Sequence, residues 1–148
     1  MTLTKNVNFT AMWWIYALLS ALFASLTAIF AKIGVTNVNS NLATAIRTVV
    51  ILFVAWGIVI GRGELKGLAT LSKHNLIFLV ISGIATGLSW IFYFKALQIG
   101  KVSQVAPVDK LSVALTIVLS IVFLGEALTL KTAIGALLIV AGTIVLIL

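Results

Sequence analysis

The stretch "SQVAPVDKLSVALTIVLS", residues 103–120, sets an aspartate and a lysine side by side at the head of an apolar run. The run from Leu111 to Leu124 has fourteen residues, and at about 1.5 Å rise each it falls well short of a hydrocarbon core of about 30 Å. A membrane span here has to begin near Ser103. That start places Asp109 roughly 9 Å inside the helix, where an unpaired charge costs several kcal/mol. Asp109 and Lys110 therefore need a reason to be there, and the rest of the chain is read for it.

Composition supports the membrane reading. Of 148 residues 62% are hydrophobic and 9% charged, with a mean hydropathy of +1.27, whereas soluble domains carry about 25% charge. Ten Lys and Arg against three acids give +7. In a soluble protein that excess would point to nucleic acid; in a membrane protein it follows from the basic bias of cytoplasmic loops, so no nucleic-acid partner is expected. With no cysteine and a single histidine, His74, disulfides, iron–sulfur clusters and the usual zinc ligand sets have no residues to form from, and neither a metal nor another cofactor is expected. The first apolar run exceeds twenty residues and leads into Lys32, too long for the core of a signal peptide, so it reads as a mature helix.

Five runs reach spanning length: about 12–33, 42–60, 76–99, 103–124 and 130–148. The expected fold is all-α, a polytopic bundle of five transmembrane helices filling residues 12–148 behind an N-terminal tail of residues 1–11, with no separate soluble domain. Gly100 and Gly125 stand where helix C-caps belong. Let side A be the side of the N-terminus. It holds Lys5, Arg62, Lys66, Lys73 and Lys131, while side B has Lys101 outside and Lys32 and Lys95 near helix ends. That bias predicts a cytoplasmic side A, an external C-terminus and a multi-pass protein of the cell membrane. Trp13, Trp14 and Trp56 fall near side A as an interfacial belt; Trp90 lies mid-helix.

Small residues mark close-packing faces: Ala17, Ala21, Ala24, Ser25 and Ala28 in the first helix, Gly83 and Gly87 as GxxxG in the third, Gly135 and Gly142 in the fifth. Packing within the protomer is the first expectation, a dimer seam the second.

Lys32, Arg47, Lys95, Asp109 and Lys110 all fall toward side B, a layer of four cations and one anion. Lys32 and Lys95 sit at helix C-termini, where the macrodipole favours cations and long stems snorkel. Arg47 and Lys110 lie early in their helices, where the dipole disfavours them, at a depth of about 8–10 Å. Neighbours on a helix point about 100° apart, so Asp109 is expected to pair with Arg47 or Lys95 across the bundle rather than with Lys110. The surplus positive charge then calls for a hydrated cavity. Pro107 reads either as an ordinary first-turn proline or as the mark of a broken helix start lining a site. Trp90, Tyr93 and Phe94 are at matching depth, as core packing or as cavity wall. The candidate transport residues are Arg47, Trp90, Tyr93, Lys95, Pro107, Asp109 and Lys110.

Three segments, "ALFASLTAIFAKIG", "ATAIRTVVIL" and the run from "WIFYFKALQIGKVSQVAPVDK" through "FLGEALTLKTAIGALLIVAGTIVLIL", resemble one repeat of the EamA family in the drug/metabolite transporter superfamily. The resemblance covers nearly the whole chain. It implies a secondary transporter of small metabolites or drugs, in the manner of single-repeat members in which two chains supply what fused, oppositely oriented repeats supply elsewhere; the expected partners are a small-molecule substrate, the lipid bilayer and a second copy, antiparallel. Related small multidrug resistance proteins use a first-helix carboxylate for proton coupling, and this chain has no acid there. Glu126 matches a family acid but stands in a side A turn, where a structural role is expected. The competing readings are a non-transporting membrane subunit and an intramembrane enzyme; the latter lacks a nucleophile–base pair and any metal cluster, and an enzyme is not expected.

Overall fold

The computed structural model describes residues 12–148. The expected tail 1–11, with Lys5, lies outside the described residues. Six α-helices follow in order: α1 Trp13–Gly34, α2 Ser40–Gly61, α3 Lys73–Ile99, α4 Val102–Asp109, α5 Leu111–Leu124 and α6 Leu130–Ile147, with a 3₁₀ segment Glu64–Thr70 between α2 and α3. The described residues contain no strand. α4 and α5 together make one membrane-length unit, so five apolar units of spanning length result, as expected from sequence.

Short polar side chains and glycines set the boundaries. Asn39 Oδ1 accepts from the N–H groups of Asn41 at 2.9 Å and Leu42 at 3.4 Å, starting α2 two residues before its apolar run. Ser72 Oγ accepts from Asn75 N at 3.1 Å and Thr129 Oγ1 from Thr132 N at 3.2 Å, capping α3 and α6. Gly125 closes α5 at φ 69°, the left-handed region that glycine enters without a Cβ penalty. Gly100 ends α3 in extended backbone. Its need for glycine is space: a Cβ there would lie 2.8 Å from Val105 Cγ2 and 3.1 Å from the Ala96 carbonyl oxygen.

The fourth span breaks at Lys110. Pro107 is the sixth residue of α4 and carries no N–H, so the carbonyl four residues earlier loses its helical donor. One turn on, the Lys110 N–H is shared between the carbonyls of Ala106 at 3.3 Å and Pro107 at 3.0 Å, and Val113 N bonds back to Lys110 O at 3.0 Å. These three-residue closures wind the junction too tightly for a continuous α-helix. Pro107 thus stands in the last turn of α4, just before a break, and is not a first-turn proline.

α3 packs against α1, α2 and α4, while α4 also meets α1, α5 and α6. α4 sits at the side B end, against the last turns of α3, and so does the core. Ala31, Phe94 and Leu97 form it, with Trp90, Tyr93, Val102 and Val105 around them. Every buried residue among those described, Ala28, Val35, Ser40, Thr44 and Thr143 included, lies toward that end. Toward side A the helices remain exposed, Leu22, Phe53, Leu79 and Phe123 among them. This corrects the expectation for the small-residue faces. A Cβ on Gly83, Gly87, Gly135 or Gly142 would meet nothing within 4 Å, and in α1 Ala28 is buried whereas Ala17, Ala21 and Ala24 are exposed. Among the described residues, side chains are buried only toward the side B end, where α4 meets α1, α3 and α6.

Candidate functional site in the charged layer

Arg47 stands seven residues into α2, about 10 Å along its axis. α2 packs on α3, whose Trp90 and Phe94 are four residues apart and so share one helix face. The guanidinium carbon lies 4.3 Å from the Phe94 ring centroid and 5.8 Å from that of Trp90. Cation–π contact of this kind suits the weakly hydrated guanidinium. Arg47 Nη1 is nevertheless buried without a hydrogen-bond partner, alone in this among the described residues.

Opposite stand Asp109, the last residue of α4, and Lys110 at the break. Lys110 Nζ donates to Asp109 Oδ2 at 3.1 Å. The expectation that Asp109 pairs across the bundle is therefore corrected. The 100° separation holds between Cβ directions on one helix, but here the helix is interrupted and the long lysine stem folds back. Both side chains keep substantial exposure, 57% for Lys110 and 34% for Asp109, so the pair contributes little to stability.

A cavity of about 290 Å³ brings these groups together. Arg47, Trp90, Tyr93, Phe94, Asp109 and Lys110 line it, with the hydroxyl residues Thr27, Ser89 and Ser112. Five of the seven candidate transport residues thus share one space. Pro107 lines an adjoining cavity of about 500 Å³ that shares Ala24, Tyr93 and Lys110 with the first; its contribution to the charged site is the break that sets Asp109 and Lys110. Lys95 stands apart, exposed, with Nζ 3.4 Å from Gln98 Oε1. Sequence gives no pattern for Thr27, Ser89 and Ser112, because isolated hydroxyls in an apolar helix carry none; Thr27 is at the depth of the charges, and Ser89 and Ser112 are nearly a turn deeper.

Lys32 is not an interfacial anchor but a tie between helices. Its ammonium donates to the carbonyls of Leu97 at 2.6 Å and Gly100 at 2.8 Å, acceptors left without partners at the end of α3. Gln98 Nε2 adds a bond to Val38 O at 2.7 Å, holding α3 to the α1–α2 turn. Glu126 lies exposed in the α5–α6 turn, away from the cavity. Among the described residues no group of three or more His, Cys, Asp or Glu is placed to hold a metal.

A family model described as the EamA-like transporter family matches residues 11–148. The chain belongs to the EamA-like transporter family. It is 47% identical over 134 residues to an uncharacterized transporter of a Sinorhizobium species, named for its place in the cobO 3′ region, covering 90% of this chain and 95% of that one. An uncharacterized protein of Methanocaldococcus jannaschii is 32% identical over 132 residues, 89% of this chain and 93% of the relative. No solved structure matches. EamA membership and the five apolar units make this a multi-pass membrane protein, and point to transport of small molecules rather than to an enzyme.

Proposed function

We propose that this EamA-family chain is a secondary transporter that exports small metabolites or drugs across the cell membrane, working as an antiparallel homodimer by alternating access. The observation that carries this is the cavity at Arg47. Charged and hydroxyl side chains line a space inside an apolar membrane bundle, and one buried guanidinium nitrogen has no protein partner. Intramembrane charge of this kind marks solute pathways.

The dimer is supported by the uneven packing. One end of the protomer has a core, while the other leaves long helix faces and their glycines uncovered. A second copy in inverted orientation would set its closed end beside the open end of the first and give each leaflet one charged layer, as alternating access around an in-plane axis requires. The side A basic residues support an orientation with the N-terminus in the cytoplasm for the single chain; the inverted partner inserts against that bias, which the terminal position of Lys5 and the boundary position of Lys131 weaken.

The test is solute flux in liposomes containing only this protein. Saturable flux that disappears in Arg47→Gln and Lys110→Gln, both still folded, is the expected result. Absence of flux for a broad panel of metabolites and drugs would leave the chain as a subunit of another membrane complex.

A further inference from the structure

We infer that the cavity at Arg47 takes a small monocarboxylate, an organic anion of single charge with a compact apolar body. The inference rests on the transporter reading for the word substrate, and on geometry alone for the chemistry of the ligand. Of the three charged side chains that line the cavity, Lys110 and Asp109 satisfy one another at 3.1 Å. Arg47 is left, with a buried nitrogen that no protein group accepts from. The site thus offers one uncompensated positive charge.

Arg47 also presents that charge in a selective shape. Phe94 and Trp90 lie against the guanidinium at 4.3 and 5.8 Å. Contact with the rings takes up none of the guanidinium's N–H donors in a hydrogen bond, and a carboxylate matches that fork with two parallel hydrogen bonds. A cationic ligand would meet Arg47 and Lys110 instead.

The rest of the ligand is defined by what adjoins the charge. Arg47, Thr27 and Phe94 border a second cavity of about 500 Å³ whose other lining is apolar, Phe30, Val35 and Ile46 among it. A carboxylate held at Arg47 can place a hydrocarbon body there. A second charged group on that body would stand against apolar side chains without a partner. Dicarboxylates and sugar phosphates are thereby disfavoured.

The experiment uses the full chain in detergent, titrated calorimetrically at constant ionic strength with hexanoate, benzoate, hexylamine, adipate and palmitate. Hexanoate and benzoate should bind saturably. Hexylamine, with the same body and opposite charge, and adipate, with a second carboxylate, should bind about tenfold more weakly or worse, the usual effect of an unpaired buried charge. Arg47→Gln should lose about tenfold or more of the hexanoate affinity, with Arg47→Lys between, since it keeps the charge and loses the fork. The ligand panel on the unaltered chain carries the test whatever becomes of a variant's folding. Saturable binding of palmitate alone, lost with Arg47, overturns the small ligand and assigns the carboxylate to a bilayer lipid. Hexylamine binding as tightly as hexanoate, or hexanoate binding unchanged in folded Arg47→Gln, overturns the inference. Benzoate counterflow in liposomes separates the two readings: binding without flux leaves the carboxylate site and removes the transporter, whereas flux of an amine with no carboxylate binding does the reverse.

Discussion

The two cations Arg47 and Lys32 lie in the same layer and are held in opposite ways. Lys32 spends its donors on the carbonyls of Leu97 and Gly100, two acceptors that α3 cannot satisfy by itself, and so joins α1 to α3. Replacing it by methionine leaves both carbonyls unpaired. The expected effect is a loss of about 1–3 kcal/mol, read as a lower thermal midpoint in detergent, with flux per folded molecule largely kept. Arg47 lies over the Phe94 ring and keeps an unpartnered nitrogen. Arg47→Gln should have the converse signature, an elution profile like that of the unaltered chain and flux reduced about tenfold or more, as removal of a charged hydrogen-bonding group predicts. Equal losses of stability in the two variants would show that both are structural. The sequence showed these charges and their depth, because depth follows from counting residues along a helix. Their partners were not legible, since Lys32 meets acceptors more than sixty residues away in the chain.

At the scale of the elements the break between α4 and α5 governs the site. Pro107 removes one helical hydrogen bond, and the turn after it tightens around Lys110. Pro107→Ala restores the donor. The thermal midpoint should rise, since a proline inside a helix costs about 3 kcal/mol, while flux falls as Asp109 and Lys110 swing apart on a continuous helix. An unchanged flux with a higher midpoint would detach the break from function. The α3–α4 turn offers a sharper steric test. Gly100→Ala puts a methyl 2.8 Å from Val105 Cγ2 and 3.1 Å from the Ala96 carbonyl, and overpacking of this sort costs about 1–3 kcal/mol. It also displaces a carbonyl that Lys32 uses. A destabilisation of that size, smaller in a chain already carrying Lys32→Met, is expected from thermal unfolding of the two single variants and the double.

In the whole molecule one end has a buried core and the other leaves its helix faces exposed, and the proposed dimer is tested there. The chain has no cysteine, so engineered crosslinks report without background. Lys66→Cys and Lys101→Cys lie in connections on opposite sides of the protomer. Co-expressed, they should give a mixed 66–101 disulfide if the two chains are inverted. Efficient 66–66 and 101–101 products with no mixed species would establish a parallel pair and discard the antiparallel one.

Several features were determined by the sequence alone: the all-α membrane class, the five apolar units, the caps at Gly100 and Gly125, and how far Arg47, Asp109 and Lys110 stand from the ends of their apolar units. Each depends on local physics, on hydrophobic length, turn chemistry and rise per residue. Only the tertiary structure decided that Lys110 turns back to Asp109, that Lys95 stays outside the cavity, and that the glycine faces lie uncovered. Those outcomes depend on which helices meet and where. In lipid the apolar pattern around a helix does not distinguish a neighbour from the bilayer, so the sequence marks a face without naming what covers it.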